Sequence, residues 1–226
     1  IKSSATSIAE LSRARPFKIF DPDTALIEIA KALSAGSHII GISGGSAETV
    51  GVSRVITQGM LLKFLAPSLV DTKVPVKAAM TSPIITIKCT DPALKGFDIM
   101  ASKGVSSLAV VEETGIIIHN MSSSDVKIYL GTKDFTAVEN LDMPLEEFLA
   151  KKRQANAAGG KGKSMAPISV CKEDDDLSNV VTKLVKTGYH RVWVVKEKKP
   201  IGVLSLTDVF KKLVPKDGQK EDCCIL

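Results

Sequence analysis

The sequence predicts a mixed α/β fold built from three copies of one β-α-β-β-α unit, each about fifty residues long. Three segments place a proline before alternating apolar residues: RPFKIF from Arg15, SPIITI from Ser82 and APISVC from Ala166. Each is followed by apolar residues at helical spacing and then by two short apolar runs. The same order of signals recurs in all three copies, which indicates an internal duplication.

The elements of one unit follow from local chemistry. Proline lacks a backbone N–H, so a short strand that begins after it is expected at a sheet edge. The helices are predicted in DPDTALIEIAKALSAG, TDPALKGFDIMASKG and EDDDLSNVVTKLVKTG, where acidic residues favour the positive end of the helix dipole. Gly36, Gly104 and Gly188 follow these helices and predict left-handed C-caps.

The last strand of each unit leads into a helix through a polar turn. Ser122-x-x-Asp125 in HNMSSSDVKIYL aligns with Ser205-x-x-Asp208 in GVLSLTDVFKKL. The first copy, RVITQGMLLKFL, keeps a hydroxyl but has Met60 in place of the carboxylate. The spacing is typical of a capping box, in which serine and aspartate satisfy backbone N–H groups at a helix start. The recurrence also allows a ligand site, and both interpretations stay open.

Composition argues against several classes of function. The chain has 226 residues, 44% hydrophobic, with a net charge of +5 and 4% aromatic residues, which leaves little material for base stacking. Nucleic acid is therefore not an expected partner. The spacing of four cysteines fits neither a disulfide framework nor a zinc site, so the cytosol is the expected compartment. Three histidines lie in separate copies without metal-binding or catalytic spacing, which predicts a protein that is not an enzyme and has no cofactor.

A unit that closes in G-h-x-S/T-x-x-D resembles the CBS domain, a module that pairs with a second copy into a Bateman module. LVKTGYHRVWVVKEKKPIGVLSLTDVFKKLV is similar to the last repeat of the gamma regulatory subunit of AMP-activated-type protein kinases, and VITQGMLLKFL to its second. The resemblance covers Arg15 to Val214. It implies tandem paired CBS repeats that sense AMP, ADP or ATP, with kinase catalytic and scaffold subunits or a second copy of the chain as partners. It also implies a further repeat before Ile1.

The resemblance assigns residues to the nucleotide. Asp125 and Asp208 would accept hydrogen bonds from ribose, and His190 with Arg191 would contact phosphate. The positions that match this pair elsewhere, Ser106-Ser107 and His38-Ile39, bring no arginine, which predicts a weaker hold on phosphate. The other nucleotide-binding residues that it implies are hydroxyls near the ribose and phosphates and residues beside the adenine: Ser122, Ser124, Ser205, Thr207, Thr81, Ile84 and Ile168.

The expected organisation has five parts. Lys151 to Ser164 is basic and rich in small residues, which predicts a flexible linker. The terminal CCIL fits a C-a-a-X box, with Cys223 as the prenylated thiol and a membrane as the surface contacted. The alternative function is therefore a structural or membrane-anchored CBS scaffold with no nucleotide-dependent role. The predicted parts are a repeat without the ribose aspartate (1–72), a CBS repeat (73–134), a connecting segment with the basic linker (135–164), a CBS repeat (165–215) and the tail (216–226).

Overall fold

The computed structural model describes residues 17–44, 51–70, 73–127, 141–158 and 168–214. Within these ranges the helices are α1 Leu26–Ser34, α2 Gln58–Leu65, α3 Ala93–Lys103, α4 Leu145–Ala158, α5 Leu177–Thr187 and α6 Leu206–Leu213. The strands are β1 Ile19–Phe20, β2 Ile39–Ser43, β3 Val52–Thr57, β4 Thr86–Lys88, β5 Ser107–Val111, β6 Ile117–Ser122, β7 Val170–Cys171, β8 Arg191–Lys196 and β9 Lys199–Ser205.

The nine strands form three small sheets of the same design, ordered β1-β2-β3, β4-β5-β6 and β7-β8-β9. In each sheet the first strand is parallel to the second, and the connection between them is a helix. The second and third strands of the first two sheets are antiparallel. The repeated β-α-β-β order confirms the predicted fold class, and α2 and α6 complete the first and third copies. In the second copy, β6 is followed by a 3-10 turn, Ser123–Val126.

The predicted glycine caps are present, with one shift. Gly104 and Gly188 end α3 and α5 with φ of 64° and 68°, a left-handed conformation that glycine adopts without a Cβ clash. Helix α1 instead ends at Ala35, and Gly36, with φ of 105°, is the next residue.

The chain divides into two compact units, and the first draws its residues from 1–80, 174–191 and 204–226. It contains the first sheet and helices α1, α2, α5 and α6. Helix α1 packs against α6, and α2 packs against both α5 and α6. Apolar side chains such as Leu33, Leu62, Leu184 and Phe210 are almost fully buried in this unit.

The second unit comprises Thr81–Glu173 and Val192–Val203. One core cluster joins β4, α3, β5 and β6 to α4 and includes Ile87, Leu108 and Phe148. A second cluster, formed by Ala109, Val111, Ile117 and Trp193, brings β5 and β6 against β8. The Trp193 Nε1 donates a hydrogen bond of 3.1 Å to the Asn120 Oδ1. The Trp193 side chain is only 2% exposed and therefore belongs to this core.

The expectation of a flexible linker from Lys151 to Ser164 is wrong for its first half. Helix α4 continues through Lys151 to Ala158. Leu145, Phe148 and Leu149 hold its first turns in the core, and most residues after them are good helix formers, so nothing interrupts the helix. The basic composition of the segment obscured this helical pattern.

Candidate functional site

The turn after β6 is a capping box. The Ser122 backbone N–H donates to the Asp125 Oδ2 at 2.9 Å, and the Ser122 Oγ accepts from the Ser124 N–H at 3.4 Å. The Ser122 and Ser124 hydroxyl oxygens lie 3.0 Å apart, within hydrogen-bonding distance. Asp125 is 5% exposed, so this carboxylate belongs to the interior of the second unit.

The turn after β9 has the same construction. The Ser205 N–H donates to the Asp208 Oδ2 at 2.9 Å, and the Asp208 N–H donates to the Ser205 Oγ at 3.2 Å. The Ser205 hydroxyl also donates to the Asp208 Oδ2 at 2.6 Å. The capping interpretation is therefore confirmed for both Ser-x-x-Asp turns, and each aspartate is fixed in position by its own turn.

The turn of the first copy lacks the carboxylate. The Thr57 Oγ1 accepts from the Met60 N–H at 3.2 Å and caps α2. The Met60 side chain is 55% exposed. This turn therefore offers the same cap without a charged acceptor for ribose.

Two basic residues of α4 meet polar groups beside the Asp125 turn. The Lys152 Nζ lies 2.5 Å from the Asp125 Oδ1, with the lysine side chain 27% exposed. The Arg153 Nη1 contacts the His119 Nε2. Desolvation, together with the positive charges of Arg153 and Lys152, lowers the pKa of His119 from 6.5 to about 4. Lys152 and Arg153 both lie in the segment that was predicted to be a flexible linker.

The Asp208 turn has different polar neighbours, all within the first unit. Gln58, 4% exposed, donates from Nε2 to the Thr207 Oγ1 at 2.9 Å and to the Leu33 carbonyl at 3.0 Å. Its Oε1 lies 3.1 Å from the His38 Nδ1. These bonds connect the start of α2, in the first copy, to the start of α6, in the third.

His190 and Arg191 stand at the start of β8. The His190 carbonyl accepts from the Leu206 N–H, at 3.1 Å, in the first turn of α6. Desolvation lowers the pKa of His190, and the nearby charges of Arg191 and His38 lower it further. The structure therefore brings His190 close to the Asp208 turn. Contact of His190 with phosphate stays a prediction.

The remaining predicted residues lie in the second unit. Thr81 exchanges backbone hydrogen bonds with Val203, at 2.8 and 3.0 Å. Ile84 and Ile168 are half-buried against the cluster that contains Trp193. Their contact with adenine stays a prediction.

Sequence reasoning missed Gln58, His119, Lys152 and Arg153. The signal for Lys152 was available: it occupies the i+7 position of the stripe that begins at Leu145 and includes Phe148 and Leu149. A lysine on the packing face of a helix either extends its ammonium to water or pairs with an acidic group. Gln58 gave no such signal, because its partner Thr207 is distant in the sequence.

Metal and membrane features were searched over the described ranges. They contain no group of three or more His, Cys, Asp or Glu side chains suited to a metal ion. None of the helices in these ranges is long and apolar enough to cross a bilayer. Cys223 and the C-a-a-X box lie outside the described residues.

Comparison with known proteins identifies the repeated unit. The CBS domain family model matches residues 76–131 and 165–215. Protein SDS23 of Kluyveromyces lactis is 26% identical over 90% of this chain and 45% of its own length. Protein SDS23 of Pyricularia oryzae is 24% identical over 85% of this chain and 36% of its own. The chain thus spans less than half the length of these curated relatives.

Solved structures show the same fold. Protein MJ1225 of Methanocaldococcus jannaschii, a proposed archaeal homologue of g-AMPK, superposes with a TM-score of 0.67 at 18% identity, over 87% of this chain and 66% of that one. An uncharacterised conserved protein of Pyrococcus horikoshii gives 0.62 at 14% identity, over 87% and 79%. The family match, together with the repeated sheets and the capping-box turns, identifies two CBS domains in this chain, at residues 76–131 and 165–215.

Proposed function

We propose that this chain is a non-catalytic regulatory protein that senses adenine nucleotides, AMP, ADP or ATP, at the Asp125 and Asp208 turns. The observation that carries the proposal is the recurrence of one preorganised carboxylate at the same place in both CBS domains. Each aspartate is held by its own capping box, so the position of the carboxylate is set before a ribose arrives.

The Asp208 turn has the chemistry for a whole nucleotide. Asp208 would accept the ribose hydroxyls, and Ser205 and Thr207 would offer hydroxyls at the start of α6, where the helix dipole favours phosphate. Arg191, with its planar fork of donors, and His190 would contact the phosphates. At the Asp125 turn the corresponding group is Ser122 and Ser124 with Thr81, Ile84 and Ile168.

The proposed partners follow from a regulatory role. A protein that senses nucleotides without catalysis must act on another protein, and the resemblance to kinase gamma subunits favours kinase catalytic and scaffold subunits, or a second copy of the chain.

A scaffold without nucleotide dependence is the second candidate. The specific observation in its favour is that both aspartates have a complete structural role as caps. Lipidation at Cys223 would then place the scaffold on a membrane.

Calorimetry with AMP separates the two candidates. Asp208→Ala should weaken binding about tenfold or more, because a charged acceptor is lost from the site. Thr57→Ala is the matched control, since it removes the equivalent helix cap of α2 where no carboxylate is present. Binding that is absent at millimolar AMP in the unsubstituted chain, or equally reduced by both substitutions, would reject nucleotide sensing at this turn.

A further inference from the structure

The ion pair between Lys152 and Asp125 is largely removed from solvent. The nitrogen and oxygen lie 2.5 Å apart, and the side chains are 27% and 5% exposed. The second oxygen of Asp125 accepts the Ser122 N–H. Both oxygens of this carboxylate are therefore engaged before any ligand arrives.

The position of Lys152 is fixed by the core. Leu145, Phe148 and Leu149 anchor α4, and the Phe148 ring packs edge-on against Phe97 with centroids 5.8 Å apart. The Leu145 N–H donates to the Asp91 carbonyl at 2.9 Å, which ties the start of α4 to the segment before α3. Lys152 continues the packing face of α4, so its approach to Asp125 is set by a buried helix.

Lys152 can nevertheless be displaced. Its stem of four carbons is flexible, and the side chain already reaches solvent in part, so the ammonium can move into water when another group takes its place. Asp125 has no such freedom, because its turn holds it in the interior. The pair therefore has one fixed member and one movable member.

We infer that Lys152 is an internal competitor for the ribose-binding carboxylate of Asp125, so that a nucleoside must displace the lysine before it binds at this turn. The inference rests on the proposed function. Competition weakens binding at the Asp125 turn: the apparent affinity is the intrinsic affinity multiplied by the fraction of molecules in which Lys152 has left the carboxylate.

Adenosine and AMP, titrated by calorimetry into the full chain with Asp208→Ala, test this inference at the Asp125 turn alone. Adding Lys152→Ala should tighten adenosine about tenfold if the lysine is displaced in about one molecule in ten. Adenosine carries no phosphate, so removing the Lys152 ammonium takes away no attraction to phosphate. A change in adenosine affinity therefore reports on access to the Asp125 carboxylate. Lys151→Ala is the matched control, because Lys151 is exposed and pairs with Glu147 at 3.0 Å.

A second variant at the same position distinguishes loss of the lysine from loss of the fold. Lys152→Gln keeps most of the stem and can donate a neutral hydrogen bond to Asp125, so it should fold and give an intermediate gain. Binding by the Asp208→Ala chain with no gain in either Lys152 variant overturns the inference alone. Weaker AMP with unchanged adenosine also overturns it, since Lys152 would then contact phosphate. Absence of binding in every variant and in the unsubstituted chain rejects the proposed function as well.

Discussion

The two Ser-x-x-Asp turns have the same local structure and different surroundings. In both, the aspartate accepts the serine N–H at 2.9 Å. Asp125 then meets Lys152, a cation from helix α4, which follows the second sheet. Next to Asp208, Thr207 instead meets Gln58, a neutral amide from the first copy. Duplication preserved the cap, whereas the groups around it diverged.

This difference indicates that capping and the proposed ligand binding depend on different residues. The cap depends on residues within the turn, so it persists in both copies and, through Thr57, even where the carboxylate is absent. The availability of the carboxylate to a ligand depends on residues remote in sequence. A turn that matches the CBS pattern is therefore not by itself evidence of equal affinity at the two sites.

The largest expected effect is on stability at the Asp125 turn. Asp125→Ala removes the cap and the charged hydrogen bond to Lys152, which should lower the free energy of unfolding by about 3 kcal/mol. Asp208→Ala removes the cap and the hydrogen bonds with Ser205, which should cost about 1 to 2 kcal/mol. Urea denaturation measures both.

The double variant Asp125→Ala/Lys152→Ala provides the control. Once Asp125 is absent, Lys152→Ala breaks no ion pair, so it should add little to the loss, whereas Lys152→Ala alone loses the pair. An equal cost of Lys152→Ala with and without Asp125, together with equal losses for Asp125→Ala and Asp208→Ala, would contradict the distinction between the two turns.

A smaller loss of stability is expected at Gln58, which donates a hydrogen bond to Thr207 in the Asp208 turn. Gln58→Leu leaves the Leu33 carbonyl and the Thr207 hydroxyl without this buried donor and should cost about 2 kcal/mol of unfolding free energy. Gln154→Leu, at an exposed position of α4, is the control and should be nearly neutral. A loss of unfolding free energy no greater than that of the control would show that the hydrogen bond from Gln58 does not stabilise the start of α6.

The sequence predicted what local patterns determine. The caps at Ser122 and Ser205 followed from a spacing of three residues, and the end of α3 at Gly104 followed from a single glycine after a helical pattern. The contact of Gln58 with Thr207 joins residues separated by 149 positions, which no local pattern encodes. Helix α4 lay between these cases: its apolar stripe was present, but its basic and small residues are also those of a linker.

The smallest effect is a pH dependence on the Asp125 side, where His119 contacts Arg153. The pKa of His119 is lowered from 6.5 to about 4 in the folded chain, so between these values the unfolded chain binds more protons. Stability from this group is complete above pH 6.5 and is lost as the pH falls toward 4. Because the ring is partly exposed, solvent screening limits the loss to about 1 kcal/mol. Urea denaturation at pH 7.5 and pH 4.5 should show a smaller decrease for His119→Gln than for the unsubstituted chain, with carboxylate titration common to both. Parallel decreases in the two proteins would mean that His119 titrates alike in the folded and unfolded chains, which would contradict the lowered pKa of this group.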